Sequence, residues 1–412
     1  MTRRIVVLAP EPIRPHMAGM GIRALEIAAA LASRFEVRLL APNPGAAASA
    51  ARPGVSVVEA PPGSAAFHRE LRACDAALVS GHAASDVFVA APHVPVAVDW
   101  YDPFLVENFH YRAALGDEVE ANDRRAWNLA VARGDFFLCA SAEQRLFYAG
   151  MLVLAGRIDA ALAESDPDAS TLLAVVPFGA SVPPAADPTP VREALGARPG
   201  DPVLLFGGLY DWHDLAPLAA VWPALLAQFP SLRVVFCENP NRETTPQRVF
   251  EEAVAEAGRR GWKDRSWFFL PWMPYEERGA LYAASRAALC LCRSGLETEL
   301  SFRTRLLDAA AAGLPSISIH GGALASRLEE RGAGLTAASP EELRAGIARF
   351  VADGAFLRTA AERAREVAAE LAWDRVVVPL AAFFENPRVS ARLPFPEPRP
   401  RSAFRLLRRS RR

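Results

Sequence analysis

The chain has 412 residues, of which 51% are apolar and 23% charged, and its formal net charge is −1. This balance excludes a polybasic nucleic-acid binder and a disordered chain, and it fits a globular protein long enough for about two or three domains. Lys263 is the only lysine among 46 basic residues, a bias read as that of a GC-rich bacterial genome and not as a binding signal.

The five cysteines, Cys74, Cys139, Cys237, Cys290 and Cys292, are scattered and mostly embedded in apolar runs, as buried reduced thiols are. None stands at zinc-site spacing from a second Cys or His pair, so no metal is expected. The apolar run near the N-terminus stops at Pro10 and is too short for a signal-peptide core or a membrane span, which leads to the expectation of a cytoplasmic protein.

The first predicted strand, Arg4 to Ala9, carries a continuous apolar run from Ile5 of the kind buried on both faces of a parallel sheet. A loop ending in Gly19-Met20-Gly21 then leads into a predicted helix over Ile22 to Ala32. Glycines there admit close backbone approach, and a helix N-terminus attracts phosphate or polar oxygen, so Gly19 and Gly21 are candidate acceptor or phosphate contacts. Strands and helices alternate from there, the pattern of a doubly wound α/β domain. In such sheets ligands collect beyond the carboxyl ends of strands. Two of those ends carry polar groups that packing does not require, Ser80-Gly81-His82 and Asp99-Trp100-Tyr101-Asp102. A long helix is predicted over Val106 to Arg133 with its charges on a solvated face, and Ser141 with Gln144 forms a capping box. Proline-rich residues 183–192 read as a linker between a domain over 1–182 and a second over 193–370.

The second half restarts the alternation and reaches Leu296 to Ser316, LETELSFRTRLLDAAAAGLPS, directly after the apolar run AALCLC. Ser301 is a plausible N-cap, Phe302, Leu306, Leu307 and Ala310 make one buried face, and Gly313 with Pro315 stops the helix. Arg303 would then sit in the first turn, where a cation costs about 0.3–1 kcal/mol unless an anion is near. Either an anionic ligand supplies that anion, or Arg303 and Arg305 pair with Glu297 or Glu299 on a solvated surface. A final helical segment is predicted over 371–386. A tail over 387–412, with nine arginines and one glutamate, is expected to be disordered or to bind an anionic surface.

Two Rossmann-like halves joined by a proline-rich linker, with a closing helix, resemble the GT-B glycosyltransferases. The segments DWYDP (99–103), VPFG (176–179), LLFGGLYDWHDL (204–215), LPWMPYEER (270–278) and LETELSFRTRLLDAAAAGLP (296–315) narrow the resemblance to a bacterial subgroup of family 4. The resemblance implies two domains facing each other across a cleft, with the closing helix returning to the N-terminal domain. It further implies a retaining, metal-independent enzyme, without a cofactor, that moves a sugar from a nucleotide sugar to a glycan, glycolipid or small-molecule acceptor in cell-surface or glycoconjugate biosynthesis. A nonhydrolysing sugar-nucleotide epimerase shares the architecture, and an inactive descendant acting as a binding protein is a third possibility.

Residue by residue, the resemblance implies that Asp308 holds the donor ribose hydroxyls and that Trp272 to Pro274, with Met273, borders the nucleotide base. Gly207 and Gly208 would close on the phosphates. His82 would orient the acceptor or a sugar hydroxyl, and Asp102 or Asp99 would serve as base if the reaction inverts. The sugar-contacting glutamate of the family falls on Leu300, which leaves Glu297 and Glu299 as rivals. The usual diphosphate-binding Arg and Lys are replaced by Gly208 and His213, so the neutralising charge is expected from Arg303, with Arg305 orienting a carboxylate.

Overall fold

The structure, a computed structural model, describes residues 2–14, 17, 19–46, 52–112, 116–184, 186–238, 247–273 and 277–396. The chain forms two compact units, one of Met1–Gly179 with Trp373–Arg412 and the other of Ala180–Ala372. The chain therefore changes unit at Gly179, ahead of the proline-rich stretch, and residues 189–192 of the expected linker belong to a short helix, Thr189–Ala194.

The first unit is built on a seven-stranded parallel sheet in the order β3-β2-β1-β4-β5-β6-β7. Its strands are β1 (Arg4–Leu8), β2 (Glu36–Ala41), β3 (Val55–Glu59), β4 (Ala76–Ser80), β5 (Val96–Asp99), β6 (Phe136–Cys139) and β7 (Leu173–Val175). β4, β5 and β6 are buried along their whole length, which is why their sequences are apolar runs without alternation. Trp100, Trp127, Phe137 and Tyr148 fill the adjoining core, with Trp100 stacked between Phe137 at 4.2 Å and Trp127 at 4.8 Å.

The long helix predicted from Val106 is interrupted. A turn of helix over Phe104–Glu107 passes into a tighter turn over Asn108–Tyr111, and the regular helix runs only over Asp117–Arg133. Gly116 before it has φ +78°, a conformation that ends one helical path before another begins.

The helices Trp373–Val376 and Val378–Glu385 return to the first unit, as the resemblance implied for the closing segment. Leu380, Ala381 and Phe384 are buried, and the ring of Phe383 stacks on Phe136 at 5.0 Å. Gly179 makes room for the return, since a Cβ there would stand 2.1 Å from the Trp373 ring.

Beyond these helices, the start of the basic tail differs from the expected disorder. Arg392 and Ser390 bind the buried carboxylate of Asp135, whose other oxygen accepts from Val96 N at 2.8 Å. Leu393 N donates to Ala132 O at 2.9 Å. The physical reason is that Asp135, just before β6, is a buried charge that needs a counter-ion, and Arg392 supplies it. The remaining tail, residues 397–412, lies outside the described residues. Among the described residues no helix is long and apolar enough to cross a membrane.

The second unit has a six-stranded parallel sheet in the order β10-β9-β8-β11-β12-β13. These strands are β8 (Val203–Gly208), β9 (Arg233–Cys237), β10 (Trp267–Leu270), β11 (Ala287–Leu291), β12 (Ser316–Ile319) and β13 (Gly334–Thr336). Trp222, Phe206, Phe236, Trp267 and Phe350 are fully or almost fully buried in its core. Cys290 and Cys292 lie on one face of the β11 path, as their alternate spacing predicts, with sulfurs 3.8 Å apart. In each sheet the strand order reverses once, between β1 and β4 and between β8 and β11, and ligands of such sheets gather outside the carboxyl ends at that reversal.

Candidate functional site

In the second unit β8 runs out into Gly207 and Gly208. Gly207 has φ +77°, and nothing lies within 4 Å of the position its Cβ would take, so the backbone is open to close approach. The loop that follows folds onto the end of β11, with Asp214 N donating to Leu291 O at 3.0 Å and Arg293 N to Trp212 O at 2.8 Å. Tyr210 and Trp212 stack in it at 4.6 Å.

His213 in this loop does not take over the charge of the missing lysine. It is fully buried and its Nδ1 accepts from Tyr210 N at 2.9 Å. Burial, with Arg305 and Arg303 nearby, holds its pKa well below 6.5, so the ring is neutral at neutral pH.

The stretch from Leu296 departs from a single capped helix. Leu296–Leu300 is one short helix and Thr304–Ala311 another, with Ser301 extended between them. Ser301 is therefore not the N-cap, and its hydroxyl instead donates to Glu297 Oε1. Arg303 precedes the second helix, and its guanidinium grips Glu297 through Nη1–Oε1 at 3.0 Å and Nη2–Oε2 at 2.8 Å. Both side chains are buried, at 6% and 4% exposure, so this is an interior ion pair and not a solvated one. Glu299 is exposed. The reading that paired Arg303 with a glutamate is the one the geometry supports, and Arg303 is unsuited to a diphosphate while Glu297 holds it.

Arg305 is placed differently. Its Nη1 donates to Phe206 O at 3.0 Å, and its guanidinium lies 5.7 Å from the Phe206 ring and 5.9 Å from that of Tyr210. Among the described residues no carboxylate lies within ion-pair distance of it. The cation thus sits against the peptide that leads into Gly207 and Gly208.

Asp308, buried on the Thr304–Ala311 helix, has Arg278 Nη1 at 4.0 Å from its Oδ2. Arg278 also reaches back to Met273 O at 3.4 Å and lies 5.8 Å from the Trp272 ring. Trp272, Met273 and Asp308 are thereby brought to one place through Arg278, while Pro274 lies outside the described residues. Sequence reasoning missed Arg278. It closes the quoted segment LPWMPYEER, but no spacing rule connects it to a carboxylate thirty positions away.

The first unit holds the other candidates. Gly19 and Gly21 lie inside the first turns of the Gly19–Leu31 helix instead of in a loop before it, and Gly21 N donates to Glu11 Oε1 at 2.6 Å. The chain's own carboxylate thus takes the position in which a phosphate was expected. Asp99 is unavailable as a base, because Arg23 binds both its oxygens at 2.6 and 3.0 Å in a fully buried pair and also donates to Val176 O and Pro177 O. Asp102 is half-buried in the loop after β5. His82 follows β4, the neighbour of β5, at a turn where Gly81 has φ +54°. Its Nε2 stands 2.7 Å from Asp123 Oδ1. Asp123 is 1% exposed, against the expectation of a wholly solvated charged face on its helix. Among the described residues no group of three or more His, Cys, Asp or Glu side chains is arranged to hold a metal ion.

Two parallel-sheet Rossmann-like units, the first reclaiming the end of the chain, make this a GT-B fold. A family model described as glycosyl transferase-like matches residues 245–381. No curated protein sequence matches the chain. Among solved structures, HepE of Anabaena in complex with UDP and glucose is similar with a TM-score of 0.67 at 18% identity, over 93% of this chain and 99% of that one. Sucrose-phosphate synthase of Thermosynechococcus elongatus is similar with a TM-score of 0.63 at 14% identity, over 93% and 98%. A glycosyltransferase of Rickettsia africae is similar with a TM-score of 0.66 at 10% identity, over 94% and 100%.

Proposed function

We propose that this protein is a glycosyltransferase of the retaining, metal-independent kind, using a nucleotide-diphosphate sugar as donor and a glycan, glycolipid or small-molecule hydroxyl as acceptor. The observation that carries the reading is Arg305, a cation without a carboxylate partner among the described residues, held by Phe206 O beside the open backbone at Gly207. Cleaving the sugar–phosphate bond pushes negative charge onto the leaving diphosphate, and a fixed cation with backbone N–H groups stabilises that charge as it grows. Arg305 therefore takes the role that sequence reasoning assigned to Arg303.

In this reading the base rests near Trp272 and Met273, and Asp308, balanced by Arg278, accepts from the ribose hydroxyls. Glu297 stays the counter-ion of Arg303, which leaves Glu299 for the sugar. Within the first unit, His82 and Asp102 are the residues assigned to the acceptor. UDP-glucose, present in a HepE complex, is the first donor to try, and UDP, present in another, is the matching product ligand.

Binding of UDP, GDP and dTDP is compared with that of their nucleosides by calorimetry, in the wild type and in Arg305→Ala. Loss of one charge-assisted contact predicts about a tenfold weaker diphosphate and less than about a twofold change for the nucleoside. Equal losses for both would remove the phosphate role of Arg305. Absence of thermal stabilisation by any nucleotide sugar would remove the transferase reading itself.

A further inference from the structure

Asp123 is a charge where the core needs none. One turn further along its helix Trp127 packs on Trp100, and the next residue, Arg124, turns outward to Glu120. Asp123 itself is 1% exposed, with Oδ1 at 2.7 Å from His82 Nε2 and Oδ2 accepting from Asn108 Nδ2 at 2.7 Å. Burying a carboxylate is costly unless its oxygens are hydrogen-bonded, and these two contacts, from His82 Nε2 and Asn108 Nδ2, engage one oxygen each. Three separate pieces of chain converge on this contact: the turn after β4, the Asn108–Tyr111 turn and the Asp117–Arg133 helix. The Phe104 ring, 4.8 Å from the imidazole, limits its rotation, yet the His82 side chain remains 22% exposed.

We propose that Asp123 is a positioning residue for the transfer reaction, holding the His82 proton on Nε2 so that Nδ1 is left to accept a hydrogen bond from a substrate hydroxyl. The inference rests on the glycosyltransferase reading, through the placing of His82 at the substrate. A carboxylate can only accept, so the nitrogen facing it must carry hydrogen, and in the neutral ring the other nitrogen is then the acceptor. Asn108 commits the second oxygen and stops the carboxylate from turning away. In Asp123→Asn one carbonyl oxygen has to serve both Asn108 and His82. When Asn108 takes it, the new amide N–H faces Nε2 and drives the proton to Nδ1, which turns a hydrogen-bond acceptor into a donor.

The test uses the full chain labelled with 15N-histidine, with long-range 15N–1H correlations recorded at mildly alkaline pH and His82 assigned by its absence in His82→Gln. The wild type is expected to show the Nε2–H tautomer and Asp123→Asn a shift toward Nδ1–H; an unchanged tautomer would overturn the proposal. With a donor that the enzyme turns over, Asp123→Asn should lower kcat/KM about 100-fold in the wild-type background. In the His82→Gln background the same change should cost less than about twofold, because a residue that acts through His82 has nothing left to position. Equal losses in both backgrounds would mean that Asp123 serves the fold alone. Should Asp123→Asn not fold, Asn108→Ala in the same two backgrounds gives the same comparison, with an expected loss of about tenfold confined to the first. If the wild type turns over no nucleotide sugar, the functional reading falls and the positioning role with it, while the tautomer measurement still decides the His82–Asp123 link.

Discussion

Replacing Arg303 by methionine separates the two roles that its position near the β8/β11 crevice invites. The substitution keeps most of the apolar stem and removes the guanidinium, leaving the Glu297 carboxylate 4% exposed without its bidentate partner. Breaking a buried pair in this way costs about 3–5 kcal/mol, because the surviving charge remains desolvated. For a unit of this size each kcal/mol moves the melting temperature by about 2–4 °C, so the transition of the Ala180–Ala372 unit should fall by about 6–20 °C. Urea and thermal unfolding followed by tryptophan fluorescence measure the loss, with Trp222 and Trp267 reporting on that unit. The double variant Arg303→Met with Glu297→Gln should recover most of it, since the uncompensated charge is gone. A loss below about 1 kcal/mol for Arg303→Met, together with weaker UDP binding, would refute this reasoning and return Arg303 to the phosphate.

Two further variants test the buried contacts around the site and the chain's return. His213 is neutral when folded but takes up a proton below about pH 6.5 when unfolded, so the unfolded state binds more protons and stability is lost as pH falls below that value, by about 1.4 kcal/mol per unit. The urea stability of His213→Asn, which keeps an acceptor for Tyr210 N, should lack this slope between pH 7 and 5, and parallel curves would contradict a buried neutral ring. Gly179→Ala drives a methyl group into the Trp373 ring and should cost about 1–3 kcal/mol, read as unfolding at lower urea with altered tryptophan emission. Wild-type stability in that variant would mean that the return of the chain is not packed as described.

Sequence alone determined the architecture. Continuous apolar runs such as AALVS and FFLC read as strands buried on both faces, and their alternation with helices points to parallel sheets. Ligand chemistry in such sheets gathers where chain leaves the strands, which made His82 and the stretch from Leu296 candidates, while Gly207 and Gly208 were implied by the resemblance. Local periodicity cannot decide which neighbour covers a charge. The break at Ser301 carries Arg303 out of the helix and onto Glu297, six positions back, while Arg305 keeps its helical position and reaches Phe206 O. Arg278 meets Asp308, Asp123 is covered by the turns bearing His82 and Asn108, and Arg392 reaches Asp135 across more than 250 residues of chain. These are desolvation effects, set by elements distant in sequence, and so only the tertiary structure decided which of the candidate charges are paired inside the protein and which face outward.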